Sequence, residues 1–386
     1  MEVFLKMRML LLADLHIGSI KDVPYYYNVV TDIIDKEVQF TKTDAVIILG
    51  DYFDRLFKAN EEYVSLAINI MSYLVRACVK CKTKIRIIYG TESHEMNQYK
   101  LFNYHFTSKK VDMKLFTTCT EEELFPNVNV LYIPEEYVED KHEFYKNTLY
   151  SGKKYDYIFG HGNIVEGLPS AMAVALPASN KHEKQVPKFN SGELSNAGKL
   201  VVFGHYHKHV DIGNNVYYLG SLFRHSFGEE EPKGYGIIED YKLNFIKNKE
   251  AYIYKTYEYD DKSDIYNDSV SLLKEIDKIK EDNKRIFKGE SIGKIRLIFH
   301  PPVNVDKSFY ENLKNILFND KIISPLIKES AVEEDAADEK VDNEYEFILD
   351  NSMDVIEKIY RFISKRYDQE IPLKELSKYI KEDLLI

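Results

Sequence analysis

Five apolar runs in this chain end in the same manner, on a short motif built from Asp, Gly and His. Residues 8–13 lead into Asp14-Leu15-His16, and residues 45–49 into Gly50-Asp51-Tyr52-Phe53-Asp54. Residues 85–89 lead into Gly90-Thr91-Glu92-Ser93-His94-Glu95, 156–160 into His161-Gly162, and 200–203 into Gly204-His205-Tyr206-His207. Runs of this length, rich in Ile, Val and Leu, read as strands, and 128–133 is a sixth. In an open α/β sheet the carboxyl ends of the strands are where ligands collect. Five such ends carrying carboxylates and imidazoles therefore predict one shared polar centre. Five of the chain's 11 histidines fall in these motifs, which chance placement does not explain.

Between the strands, Val29, Val30, Ile33, Ile34 and Val38 recur at helical spacing, as do Val64, Ala67, Ile68, Met71, Leu74 and Val75. These are core faces of helices, and the alternation over the first 260 residues predicts an α/β or strand-rich sandwich. From 209 to 257 closely spaced strands with a Gly-Asn-Asn turn at 213–215 read as an antiparallel meander. The 386 residues suit more than one domain: 1–260 for the motif-bearing domain, 261–350 for a smaller α+β domain containing an acidic loop at 329–346, and 351–386 for two amphipathic helices.

Charge bears on the partner. The net charge is −11, unfavourable for a protein that meets nucleic acid. Residues 329–346 hold nine acids against Lys340 alone, so the rest of the chain is close to balanced, and bound cations would raise the potential further. Lys181, His182, Lys184 and Lys188 form a candidate basic loop. Met7–Ala13 is too short for a signal segment or a membrane span, so a cytoplasmic protein without a membrane partner is expected, in the host cytoplasm if the chain is viral. Cys78 and Cys81 lack a second pair to complete a zinc site and read as ordinary thiols near a helix end.

Mixed carboxylate and imidazole ligands suit Mn²⁺, Fe²⁺ or Zn²⁺ better than Mg²⁺. Two such ions, about 3.5–4 Å apart, hold a water, lower its pKa and clamp a phosphate, which is the requirement for in-line phosphoester hydrolysis. The five motifs resemble those of the calcineurin-like metallophosphoesterases, whose pattern is D-x-H, G-D, G-N-H-[DE], H and G-H-x-H. The resemblance implies two sheets flanked by helices, with a smaller α+β capping domain. It implies that Asp14, His16, Asp51 and His207 hold one metal, that Asp51, His161 and His205 hold the second, and that His94 protonates the leaving oxygen. One departure stands out. The family's Asn is missing, and Ser93, Thr91 or water remains to fill its place at the second metal.

A longer segment, Gly220-Ser221 through Arg224, Ser226-Phe227, Glu229 and Lys233-Gly234, resembles the block that follows G-H-x-H in SbcD-type subunits of double-strand-break repair nucleases. That resemblance implies a Mn²⁺-dependent DNA exonuclease or endonuclease subunit, a homodimer, with residues 351–386 docking on an SbcC-type coiled-coil ATPase. Two other readings stay open: a phosphomonoesterase or small-nucleotide phosphodiesterase, and a weakly active scaffold that binds DNA ends.

Overall fold

The computed structural model describes residues 7–167, 185–289, 291–302, 304–317 and 320–328. The acidic run 329–346, the expected helices of 351–386, and Lys181, His182 and Lys184 lie outside the described residues.

The strand expectations are met within one or two residues at each end. β1 (Arg8–Leu12), β2 (Ala45–Leu49), β3 (Lys84–Ile88) and β4 (Met113–Phe116) run parallel in one sheet. In the second sheet β5 (Thr120–Phe125) pairs antiparallel with β6 (Val128–Ile133), which is parallel to β7 (Tyr155–His161). A short parallel pair, β8 (Asn163–Ile164) and β9 (Lys188–Phe189), precedes β10 (Gly198–Gly204), which lies parallel to β7. The two sheets pack face to face on Met9, Leu11, Ile47 and Leu49 from one and Tyr132, Tyr157, Phe159 and Val202 from the other. The alternate residues of β1 and β2 (Leu10, Leu12, Val46 and Ile48) pack instead against helices α1 (Val23–Ile34) and α2 (Glu62–Cys81). Strands covered on both faces need apolar side chains at every position, and this is why the runs lack polar alternation.

Helix α1 starts where Asp22 accepts a hydrogen bond from the Tyr25 amide at 3.0 Å, and it continues into a π-helical turn, Asp35–Phe40. Helix α2 is 20 residues long and apolar enough to cross a membrane, but Leu66, Ala67, Ile70, Met71, Leu74 and Val75 are buried in the core. It ends at Lys82 in the left-handed conformation. Cys78 is buried near that end.

The meander expected over 209–257 is not one sheet. β11 (Val210–Gly213) and β12 (Val216–Tyr218) form a hairpin about the Gly213-Asn214-Asn215 turn, and β12 joins the second sheet parallel to β10. The chain then crosses through residues 219–233 to the first sheet, where β13 (Gly234–Glu239) pairs antiparallel with β1 and with β14 (Lys242–Lys247). β15 (Ile253–Tyr259) belongs to a third, parallel sheet with β16 (Gly293–Phe299) and β17 (Ile323–Ile327). Local alternation reports which face of a strand is buried, not which sheet it joins, so tight spacing alone suggested consecutive pairing. The third sheet, with helices Ser269–Asp282 and Lys307–Ile316, closes over a core of its own that includes Leu272, Ile276, Leu297, Phe299 and Phe309.

Candidate metal centre

The parallel strands β1, β2 and β3 of one sheet and β6, β7 and β10 of the other release their chains toward a common edge, and the motifs meet there. Backbone bonds tie the turns together: the amides of Asp14 and His16 donate to the carbonyls of Gly50 (3.3 Å) and Asp51 (2.9 Å). Asp14, His16, Asp51 and His205 all have positive φ, at 49°, 45°, 47° and 92°. A non-glycine residue in that region costs on the order of 1 kcal/mol or more, and such strain concentrates at functional sites. Two glycines permit the close approach. A Cβ on Gly204 would stand 2.2 Å from the Leu49 carbonyl oxygen, and one on Gly50 (φ +83°) would stand 2.3 Å from Nδ1 of His161.

The imidazoles are oriented by their outer nitrogens. Nδ1 of His161 lies 2.8 Å from the Leu49 carbonyl, which can only accept, so Nδ1 carries the hydrogen and Nε2 faces Asp51 Oδ2 at 3.4 Å. Nδ1 of His207 meets Glu229 Oε1 at 3.0 Å, and its Nε2 stands 3.0 Å from Nε2 of His16. His16 Nε2 is also 3.6 Å from Asp51 Oδ2. That carboxylate oxygen therefore sits between two imidazole groups, the position a bridging ligand needs. Asp14 Oδ1 accepts from the His205 amide at 2.8 Å, while Oδ2 is buried without a hydrogen-bond partner. An orphaned buried carboxylate oxygen beside paired imidazole nitrogens fits a divalent cation, which would supply the missing counter-charge.

Acids and imidazoles act on one another across the centre: burial would lower His161, but Asp51 and then Asp14 raise it to about 10. Burial alone would raise the Asp51 carboxyl, but His161, His16 and His94 together outweigh it and hold the group well below the ordinary range. Burial, and then the adjacent His225, push His16 well down, so it is a neutral imidazole, the form that binds a metal. Burial also lowers His205, to about 4.

Asp14, His16 and Asp51 come together, as do Asp51, His161 and His205, and His207 joins His16. His94 sits on the short helix α3 (Glu92–Glu95), its ring 4.7 Å from that of His16 and its Nδ1 hydrogen-bonded to the Asp54 carbonyl. By the same acceptor argument, Nε2 is the nitrogen left for substrate. At the departing motif the structure brings in Thr91: its amide donates to Asp51 Oδ1 at 2.7 Å, and its hydroxyl is 3.4 Å from His161 Nε2. Ser93 is exposed and, among the described residues, hydrogen-bonds to none of the cluster.

Three neighbours were not singled out by the sequence reading. Asp54 Oδ1 faces His16 Nδ1 at 3.8 Å, His225 lies with His16 and His207, and Glu135 Oε2 is 3.4 Å from His205 Nδ1. His225 stands inside the 218–235 block, and Glu135 follows the sixth apolar run. Strand-end position was thus the available signal for Glu135.

The sequence pattern of the calcineurin-like phosphoesterase family matches residues 7–209, more than half of the chain. The chain belongs to that family. It is accordingly a metal-dependent phosphoester hydrolase, and the Asp/His clusters are its candidate divalent-metal sites. A search of curated proteins finds no match. One solved structure is similar at 11% identity over 63% of this chain and 99% of its own, with a TM-score of 0.37.

The 218–235 block packs against the candidate metal centre of this phosphoesterase. The Ser221 amide donates to the His207 carbonyl at 3.0 Å, and Lys233 Nζ donates to the same carbonyl at 2.9 Å and pairs with Glu229 Oε2 at 2.9 Å. Burial would raise Glu229, but His207, His225 and Lys233 bring it to about 2, so it is an ionised acceptor for the His207 ring. The Arg224 guanidinium ties the loop down through the carbonyls of Tyr252 (3.2 Å), Glu230 (3.3 Å) and Glu231 (2.9 Å).

Proposed function

We propose that this phosphoesterase is a Mn²⁺-dependent DNA nuclease, cleaving phosphodiester bonds at a two-metal centre, and that it works in repair or recombination with an SbcC-type ATPase. The observation that carries the reading is the coupling of the 218–235 block to His207 through Glu229 and Lys233. The segment whose sequence resembles the SbcD-type block is part of the metal support rather than a remote loop.

Asp14, His16, Asp51 and His207 would hold one ion, and Asp51, His161 and His205 the second. When bound, the pair supplies Lewis-acid polarisation of the phosphate and a nucleophile at neutral pH. The chain's own groups do the rest. Asp51 fixes the spacing of the two sites, Glu229 and the Leu49 carbonyl fix the His207 and His161 rings, and His94, held by the Asp54 carbonyl, delivers a proton from Nε2 to the departing sugar oxygen. Homodimer formation, a cytoplasmic setting, a DNA-positioning role for 261–350 and docking of 351–386 on the ATPase complete the proposal.

The test is to incubate purified protein with Mn²⁺ and linear duplex or single-stranded DNA, alone and with the ATPase, alongside nitrophenyl phosphate mono- and diesters. Cleavage of DNA and of the diester is expected. Intact DNA with clear monoester turnover would replace the nuclease reading with a phosphomonoesterase. Fewer than two bound ions with DNA retained but uncut would favour the end-binding scaffold.

A further inference from the structure

The missing family Asn leaves the second ion one protein donor short, and Thr91 supplies only a neutral hydroxyl, a weaker ligand than an amide oxygen. A stronger donor stands opposite. Glu135 follows β6, the neighbour of the strand that delivers His161, and its amide donates to the Tyr89 carbonyl at 3.2 Å, which fixes its position beside the third motif. The carboxylate is almost wholly buried, with its side chain 2% exposed. Oε1 accepts from the Tyr137 hydroxyl at 3.4 Å and Oε2 from the Thr91 hydroxyl at 3.2 Å, while Oε2 also lies 3.4 Å from His205 Nδ1.

We propose that Glu135 is a ligand of the second metal ion, taking the coordination place that the family gives to Asn. The proposal rests on the two-metal part of the function above and not on the DNA substrate. Asp51, His161 and His205 form one cluster, and Glu135 Oε2 stands at its edge, 3.4 Å from His205 Nδ1 and 3.2 Å from the Thr91 hydroxyl, which itself reaches Asp51 Oδ2 and His161 Nε2 at 3.4 Å each. The contacts His161–Asp51 and His205–Glu135 are both 3.4 Å. Atoms bound about 2.1 Å from one ion lie about 3.0–3.4 Å apart when adjacent, so each of the two pairs has the spacing of neighbouring ligands.

Burial sharpens the argument. Leaving a carboxylate in the interior with two long hydroxyl contacts is costly. None of the ion pairs among the described residues joins Glu135 to a Lys or Arg; the titratable groups that face it are His205, His161 and Asp51. A cation at the second site would add the full counter-charge that these hydroxyl and imidazole contacts supply only in part. The added negative charge also makes the donor set harder, which favours Mn²⁺ over softer ions. Thr91 holds Oε2 in place, and its amide fixes the bridging carboxylate at Asp51 Oδ1, so the third motif keeps a positioning role.

The test counts ions rather than turnover. Mn²⁺ is titrated calorimetrically into the full chain, and the electron paramagnetic resonance spectrum is recorded at two equivalents. The wild type should bind two ions with an exchange-coupled spectrum. Glu135→Ala and the isosteric Glu135→Gln should bind the first ion normally and the second at least 10- to 100-fold more weakly, with the spectrum of an isolated ion. Adding Thr91→Asn to Glu135→Ala should restore the second ion, because Asn then stands where the family has it. Thermal melts without metal check that the variants fold, and Glu135→Gln guards against collapse of the Ala variant. Two coupled ions of unchanged affinity in both Glu135 variants would overturn the assignment and leave the two-metal reading standing. A wild type that binds no Mn²⁺ would overturn both.

Discussion

His94 is the residue whose chemistry can be isolated. Its Nδ1 is committed to the Asp54 carbonyl, so only Nε2 can pass a proton to a leaving group. His94→Gln should lower kcat on DNA by on the order of 10²–10⁴ with Mn²⁺ stoichiometry unchanged. The loss should be much smaller on a nitrophenyl diester, because nitrophenolate leaves without a proton. Equal losses on both substrates would assign His94 to binding instead. Glu229→Gln addresses the other shell: with its carboxylate charge removed, the His207 ring is held less firmly, and affinity for the first ion should fall by about 10- to 100-fold in a calorimetric titration. Asp14, His16, Asp51, His161, His205 and His207 were legible because each ends an apolar run, where side-chain type and chain direction together declare a shared point. Thr91, Ser93 and Glu135 were not separable in that way. Which of two nearby hydroxyls turns inward depends on a short turn of helix at 92–95, and Glu135, although it follows an apolar run, comes beside His205 only because β6 lies next to β7 in a sheet whose order local sequence does not encode.

Strands and helices carried their own signatures where burial is two-sided. β2 is Ala-Val-Ile-Ile-Leu with every residue buried, and its boundaries were legible to the residue. The 209–257 region was not, because its strands are short and its turns explicit, while the choice of sheet is made by residues 219–233 crossing behind His207. One charged residue also escaped the apolar pattern. Arg86 lies within β3, its side chain 1% exposed, and pairs with Glu122 Oε2 at 2.7 Å and Asp112 Oδ1 at 2.9 Å. Removing Arg86 leaves the largely buried Glu122 with Lys114 as its remaining partner, while the exposed Asp112 keeps Lys84, so Arg86→Met should destabilise the fold by about 3 kcal/mol or less near pH 7. The pH dependence has a definite sign. Burial would raise Asp112, but Arg86 and Lys84 hold it at about 2, below the ordinary carboxylate value. Its stabilisation is therefore full above about pH 4 and lost as pH falls through 2. Denaturant midpoints measured from pH 6 to pH 2 should drop along this limb in the wild type and drop less in Arg86→Met.

At the scale of the whole chain, the sandwich and the third sheet bury separate apolar clusters, and only the sandwich carries the metal motifs. Leu297 in β16 is fully buried in the cluster with Ile276, Phe299 and Phe309, and none of the motif residues belongs to it. Leu297→Ala removes three buried carbons and leaves a cavity, a change that costs about 2–5 kcal/mol in a closed core. If the two cores unfold independently, this variant should lose amide-exchange protection across β15, β16 and the helix Ser269–Asp282 while β2 and β7 keep theirs. Mn²⁺ stoichiometry should stay at the wild-type value, since Asp51 follows β2 and His161 ends β7, both outside that cluster. Loss of protection spread evenly over all three sheets, with metal binding weakened in step, would instead make the third sheet part of the cooperative unit that holds the metal ligands in their strained turns.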